Sequence, residues 1–540
     1  MAEITARGLA RNSAYALVAQ LWRVGSRFIL TPLIIAKIGL DGYGVWTLLF
    51  VICAYVTAID VNFGVAYSKY TAEYDAKRDY DRLAQIVGSG MTLIGSIAAV
   101  ALTVIWFFRA PILRTLGVPA EMLEQAGQAL LLVSICVVMR MSIGCVFSIV
   151  AGLQRIDIRY KLSILAAAIE FIITIVLLIR GWKLLALAFG HFCGQVVSTA
   201  IAWRSCRRLC PDLSLSPLRT SVFGIRQIFS LGGRFQLLSA VQVLIHQCTK
   251  LLLSGLLGVS MLGISEIATK LISLGVAVGG AVVAPIMPAF SNLYSLGDRE
   301  RIRGLYERAS RAVALVCVPS FAFLAIFADR IILLWTNQEY PLAAWTVRWI
   351  APVAFLGMLT GIGTAALRGK GTIRLELFYA LIGLGMLVVL YPPGYLLWGY
   401  KGMIGAEVIA GILSAAWFLW ALARTEFQQL LQYVRATIWR PVAVFSPLFV
   451  LSVIVAPQVH IHAGTVRARV GCLIDVAFVG SLFAVISVAL IWYGLLTTSE
   501  RVWFTCRFPG AGGTRIRRLL RCPAAAEPKD SPVPDVRCGR

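Results

Sequence analysis

The sequence predicts an all-α integral membrane protein of about fourteen transmembrane helices. Three observations carry this. Hydrophobic residues make up 59% of the 540 and charged residues only 14%. Apolar runs of about 20 residues, the length needed to cross a hydrocarbon core of roughly 30 Å, recur along almost the whole chain. Lys and Arg gather in alternate loops, as the orientation rule for membrane helices requires.

The runs centre near Arg23, Cys53, Ala98, Val138, Ile172 and Leu187 in a first group. A second group centres near Leu244, Ala277, Val318, Leu356, Gly385 and Ile412, and a final pair near Phe449 and Leu482. The expected organisation is a first lobe of helices one to six over 1–204, a linker over 205–226, a second lobe of helices seven to twelve over 227–424, and helices thirteen and fourteen over 425–496. The stretch 497–540, rich in Arg, Pro, Gly and Ala, has the composition of a disordered basic tail. The first run is read as a permanent helix and not a cleavable signal peptide, because it is long, holds two arginines and is followed by no small-residue cleavage site.

The net charge of +24 mainly encodes topology. With the N-terminus placed inside, the in-facing segments hold Arg155, Arg159 and Lys161, then Arg204, Arg207, Arg208, Arg219 and Arg226, then Arg299, Arg301, Arg303, Arg308 and Arg311. The out-facing turns at 41–44 and 258–262 hold no Lys or Arg. An even number of helices then puts both termini in the cytoplasm. No nucleic-acid partner is expected from a charge so arranged.

Connections in the two groups look alike. Ala151-Gly-Leu-Gln-Arg-Ile-Asp-Ile-Arg159 matches Ala365-Ala-Leu-Arg-Gly-Lys-Gly-Thr-Ile-Arg374, and Lys77-Arg-Asp-Tyr-Asp-Arg82 matches Gly297-Asp-Arg-Glu-Arg301. Six helices per group make the two halves parallel, with a cavity between lobes that can rock.

Basic residues inside apolar runs need a reason. A Lys or Arg at the bilayer centre costs about 2.5–3.5 kcal/mol on insertion scales. Arg23, Arg27, Lys250 and Lys270 facing lipid would together cost roughly 10 kcal/mol. Gln20, Arg23 and Arg27 fall at i, i+3 and i+7, one face of helix one. Ser239, Gln242, His246 and Lys250 continue such a stripe along helix seven, with Arg234 near its start. Helix eight carries Glu266 and Lys270 four apart, close enough to pair. A wet, cationic cavity is the expected setting, and its cargo is then anionic; a polar seam between helices is the structural alternative. The candidates for ion or proton coupling are the intramembrane acids Asp60, Glu170, Glu266 and Glu407, with Asp475 a further acid of the same kind.

No Walker A motif is present, since Gly363 to Gly371 has the wrong spacing and no Ser or Thr after the Lys. No external loop is long enough for a catalytic domain, so a transporter and not an enzyme is expected, without cofactor. The twelve cysteines show no C-x-x-C, and His460 and His462 form a bare H-x-H, so no metal is expected.

Four stretches resemble a known family. Gly39-Leu-Asp-Gly-Tyr-Gly-Val-Trp46 is similar to its first turn, and Asp60-Val-Asn-Phe-Gly-Val-Ala-Tyr-Ser-Lys-Tyr-Thr-Ala-Glu-Tyr74 to the end of its second helix, with Asn62 where a Gly is usual. Pro288-Ala-Phe-Ser-Asn-Leu-Tyr-Ser-Leu-Gly-Asp-Arg-Glu-Arg301 and Gly152-Leu-Gln-Arg155 are the others. In their order and spacing, they resemble polysaccharide transporters, including O-antigen flippases, of the multidrug/oligosaccharidyl-lipid/polysaccharide (MOP) flippase superfamily. The resemblance implies two six-helix lobes in a V, with helices one, two, seven and eight lining the cavity. It implies a bacterial inner-membrane flippase whose cargo is an oligosaccharide on a polyprenyl diphosphate, an O-antigen, capsule or exopolysaccharide repeat unit. Membrane lipids and other polysaccharide-assembly membrane proteins are the partners it implies. Arg23, Arg27 and Lys250, with Arg234 and Lys270, would attract the pyrophosphate, and Gln20, Gln242 and His246 would meet sugar hydroxyls. The alternatives are a cation-coupled multidrug exporter of the same superfamily and a membrane polysaccharide polymerase or glycosyltransferase.

Overall fold

A computed structural model of the chain describes residues 6–58, 63–283, 286–427, 437, 439–455 and 466–496, with side chains described from Val18 onward except at 21, 65, 229–237, 426–427 and 466–475. Asp60, His460, His462 and the 497–540 tail lie outside the described residues, as do the side chains of Arg234 and Asp475.

The architecture is all helical. In the first lobe run α1 (Ala6–Thr57), α2 (Phe63–Lys77), α3 (Tyr80–Thr115), α4 (Leu123–Ile143), α5 (Cys145–Gly152), α6 (Ile156–Ile179) and α7 (Lys183–Leu209). The second holds α8 (Val222–Leu257), α9 (Val259–Val283), α10 (Ile286–Leu296), α11 (Arg299–Ile326), α12 (Ala328–Thr336), α13 (Pro341–Lys370) and α14 (Arg374–Leu422). Helices α15 (Arg440–Val455) and α16 (Val466–Leu490) follow. Eleven of the described helical stretches are long and apolar enough to cross a membrane. Two of them, α1 and α14, are each two crossings broken at Gly39 (φ 77°) and Gly399 (φ 55°), and α15 is a shorter apolar helix. Counted this way, the described crossings agree with the fourteen expected. Helices α7 and α8 both run into the stretch expected to be linker, leaving 210–221 between them.

Backbone geometry supplies the internal repeat that the loop sequences only suggested. Residues with positive φ close the helix-to-helix turns, as left-handed caps do. Among the described residues all but Lys183 come in pairs: Gly39 and Gly258, Arg78 and Gly297, Gly117 and Asn337, Gln154 and Gly371, Gly181 and Gly399. The members of each pair are 217 to 220 positions apart. Gly39 (φ 77°, ψ 174°) and Gly258 (φ 88°, ψ 165°) share nearly the same conformation. Asp79 caps α3 by accepting from the Arg82 N–H, and Asp298 caps α11 by accepting from the Arg301 N–H. Two chemically different sequences thus build the same turn at the same step of each lobe.

The lobes meet at the end holding Gly39 and Gly258. A Cβ on Gly44 would lie 1.9 Å from the Val259 carbonyl oxygen, and one on Gly263 would lie 3.0 Å from the Leu40 carbonyl oxygen. Leu40 precedes Val259, and Gly44 precedes Gly263, by the same 219 positions. The two contacts are therefore one contact made twice about a pseudo-twofold axis. The Ser260 hydroxyl donates to the Asp41 carboxylate at this end. Trp335 Nε1 donates to the Phe28 carbonyl at 2.8 Å, and their rings stack with centroids 4.1 Å apart. At the opposite end, Tyr70 donates to Gln227 Oε1 at 2.6 Å, and Ser89 exchanges hydrogen bonds with the backbone of Ser221. Helix α8 thus starts against the first lobe, while Leu238 and Val241 on the same helix pack with Ala380 of the second.

Candidate functional site

Two overlapping cavities occupy the first lobe and its border with the second. The larger, about 590 Å³, is lined from α1 by Arg23, Ser26 and Arg27 and from α2 by Gly64 and Tyr67. Arg140 on α4, Phe147 and Ser148 on α5, Arg159, Ser163 and Glu170 on α6, and His191, Gln195 and Ser198 on α7 complete it. The smaller, about 430 Å³, shares Arg27, Thr57, Arg140, Glu170, His191 and Gln195 with it. It continues past Trp46 and Thr47 to Gln247 and Lys250 on α8 and Glu266 and Lys270 on α9. Shared walls make one wet path with two chambers. The larger chamber reaches Arg159 in the first turn of α6, at the basic-loop end. The smaller approaches the end where the lobes touch.

Local sequence explains the placements. Arg23 and Arg27 are four apart on α1 and so project to one side about 6 Å apart along the axis. Arg140 lies at the end of α4, and its carbonyl accepts from the Gly144 N–H at 2.9 Å where that helix gives way to α5. Gly190-His-Phe-Cys-Gly194 is a small-xxx-small pattern of the kind that brings membrane helices together. A Cβ at Gly190 would lie 2.2 Å from Thr174 Oγ1, and one at Gly194 would lie 2.6 Å from the Ala166 carbonyl. That close approach of α7 to α6 sets His191 Nδ1 3.3 Å from Glu170 Oε2.

The charges divide into engaged and free. Arg23 donates to Gln20, the i, i+3 spacing having put both on one face. Lys250 Nζ donates to Glu266 Oε2 at 2.7 Å. Lys270 Nζ donates to Thr31 Oγ1 at 2.9 Å and sits 4.8 Å over the Tyr43 ring. The expected Glu266–Lys270 pair within α9 is therefore corrected: Glu266 turns to the neighbouring helix, and Lys270 is held by α1. Among the described residues, no side-chain hydrogen bond or ion pair engages the guanidinium groups of Arg27, Arg140 or Arg159. All three are exposed to the cavity's open space. Free guanidinium forks on a concave wall are suited to bidentate binding of phosphate or carboxylate. Serines and Gln195 beside them can hydrogen-bond a polar, uncharged body.

The other sequence candidates are distributed differently. Gln242 and His246 lie on α8 but are not among the lining residues, where Gln247 stands instead. The repeat explains the resemblance of the two stripes: Gln20, Arg23, Arg27 and Thr31 precede Ser239, Gln242, His246 and Lys250 by 219 positions each. Glu407 on α14 lies outside both linings, within electrostatic reach of Lys250, Tyr391 and Tyr400. Asp60 and the Arg234 side chain are outside the described residues. Sequence reasoning missed Arg140, His191 and Gln195, and it counted Arg159 as loop charge. The depth of Arg140 in an apolar run and the small-xxx-small pattern around His191 were the available signals. Among the described residues, no group of three or more His, Cys, Asp or Glu is placed to hold a metal ion.

Comparison with known proteins adds a family and a fold. A family model described as polysaccharide biosynthesis protein matches residues 38–344. No curated protein sequence matches the chain. Among solved structures, lipid II flippase MurJ in an inward closed conformation superposes with a TM-score of 0.63 at 12% identity, covering 88% of this chain and 99% of that one. A multidrug resistance MATE family transporter of the MOP superfamily, inward-facing, gives 0.61 at 17% identity, covering 77% and 96%. A MOP superfamily transporter from Pyrococcus furiosus, described as having a binding pocket of reversed polarity, gives 0.55 at 16%, covering 78% and 96%.

Proposed function

Because the chain belongs to the polysaccharide biosynthesis protein family, we propose that it is a flippase for an oligosaccharide carried on a polyprenyl diphosphate. The direction proposed is from the cytoplasmic to the periplasmic leaflet of a bacterial inner membrane, by alternating access of the two lobes. The cargo would be an O-antigen, capsule or exopolysaccharide repeat unit. The observation that carries this reading is the trio of arginines, Arg27, Arg140 and Arg159, unpaired among the described residues, on the wall of one wet cavity. An anionic diphosphate satisfies them; a lipid acyl chain or a cationic drug does not.

The disposition of charge supports the orientation. The basic loops favour the cytoplasm, which places both termini inside and the larger chamber toward the side where the cargo is built. Contacts at the Gly44–Val259 end then close the periplasmic side. An inside-negative potential favours outward movement of an anion by about 2.3 kcal/mol per charge per 100 mV, so no nucleotide hydrolysis is required. Of the proposed coupling acids among the described residues, Glu170 and Glu266 are held by His191 and Lys250, and Glu407 is the one proposed to exchange a proton or cation, with Asp60 a candidate outside the described residues. The partners proposed are membrane lipids and other polysaccharide-assembly membrane proteins.

The test is transbilayer movement of a fluorescent polyprenyl-diphosphate oligosaccharide in proteoliposomes. Each lost charge-assisted hydrogen bond is worth about 1.5–3 kcal/mol. Replacing Arg27 and Arg140 together by alanine is therefore expected to slow transfer at least about 100-fold. Undiminished transfer by the double variant contradicts the proposal.

A further inference from the structure

The cavity holds more positive charge than a pyrophosphate can balance. Its described lining carries Arg23, Arg27, Arg140, Arg159, Lys250 and Lys270 against Glu170 and Glu266, an excess of four positive charges. A pyrophosphate diester bears one negative charge on each of its two phosphates.

The charge is also spread too far for one pyrophosphate. Arg23 and Arg159 line only the larger chamber, Lys250 and Lys270 only the smaller, and Arg27 and Arg140 line both. Lys270 bonds Thr31, eight residues beyond Arg23 on α1, so the basic strip runs roughly 12 Å along that helix. The two phosphorus atoms of a pyrophosphate share a single bridging oxygen and cannot touch both ends of such a strip. Lys250 is neutralised by Glu266 at one end. Arg159, at the other, is among the arginines with no partner among the described residues, and Ser163 on its own helix lines the same chamber beside it.

Resting on the flippase reading, we infer that the carried oligosaccharide is itself anionic, bearing at least one acidic sugar of the uronic-acid class whose carboxylate meets an arginine that the pyrophosphate does not reach. Serine and glutamine groups in the same chamber then serve the neutral hydroxyls. Removing a carboxylate's charge leaves the matching guanidinium unpaired in the loaded state, which disfavours loading.

The experiment uses the wild-type protein in proteoliposomes with three cargoes of equal chain length on the same polyprenyl diphosphate. One carries a uronic acid, one its methyl ester and one the corresponding neutral hexose. The expected result is transfer of the acidic cargo at least about tenfold faster than of the other two. If ester and neutral cargo move as fast as the acid, the inference is overturned while the flippase reading stands. If none of the three moves above the protein-free rate, the flippase reading fails and the inference falls with it.

Discussion

Replacing Gly44 by alanine tests how the lobes close. The new Cβ would sit 1.9 Å from the Val259 carbonyl oxygen, where ordinary contact begins at 3.4 Å. Both groups belong to helix ends fixed in opposite lobes, so about 1.5 Å of separation has to come from moving backbone against backbone. Overpacking of this size costs about 1–3 kcal/mol. The cost falls only on the state in which the two turns touch, so it shifts the population away from that state by roughly 5- to 150-fold. Gly263→Ala is the internal control: it is the same contact across the pseudo-twofold axis, but its Cβ would lie 3.0 Å from Leu40. Asp41 and Ser260, hydrogen-bonded across the lobes, are the reporter pair. With both replaced by cysteine, oxidative cross-linking in membranes should slow at least about fivefold in the Gly44→Ala background and clearly less in Gly263→Ala. Equal rates in all three backgrounds would refute the reasoning, because the close approach would then not define the closed state.

Other perturbations follow from the same contacts. Arg368 forms a bidentate pair with Glu376, which is only 1% exposed, so Arg368→Met strands a buried carboxylate and should destabilise the fold by about 3–5 kcal/mol. Thermal unfolding in detergent would show it, and adding Glu376→Met should restore much of the loss. Glu266→Gln removes the partner of Lys250 and should lower the melting temperature, whereas Lys250→Met with Glu266→Met should recover it. Gly190→Leu drives a side chain into Thr174 at the α6–α7 contact and should abolish folded yield, read as loss of monodisperse protein on size-exclusion chromatography.

Much of this architecture was legible because the bilayer imposes it. Crossing segments, their count and the turns at Gly39 and Gly258 follow from apolar length and turn glycines, each readable along one stretch of chain. The partition of the buried charges was less legible, because it depends on how helices rotate against each other. Glu266 and Lys270 are neighbours on one helix, yet each finds a better partner across an interface, Lys250 and Thr31. Arg27 and His246 occupy equivalent positions in the repeat, but only the arginine lines the described cavity, since the lobes use that face differently. Arg140 escaped notice as a single charge without a stripe, and only packing of α4 against α1 and α7 brings it beside Arg27.

On the proposed function, this cavity selects an anionic, lipid-linked cargo. Equilibrium binding of a polyprenyl-diphosphate oligosaccharide to the purified protein, with a lipophilic cation as competitor, tests it most directly. Saturable binding that weakens as salt rises is expected. Replacing Arg27 and Arg140 by glutamine should weaken it at least about 30-fold, and the cation should not compete. Binding of the cation in preference to the lipid-linked glycan, unaffected by the arginine substitutions, would contradict it.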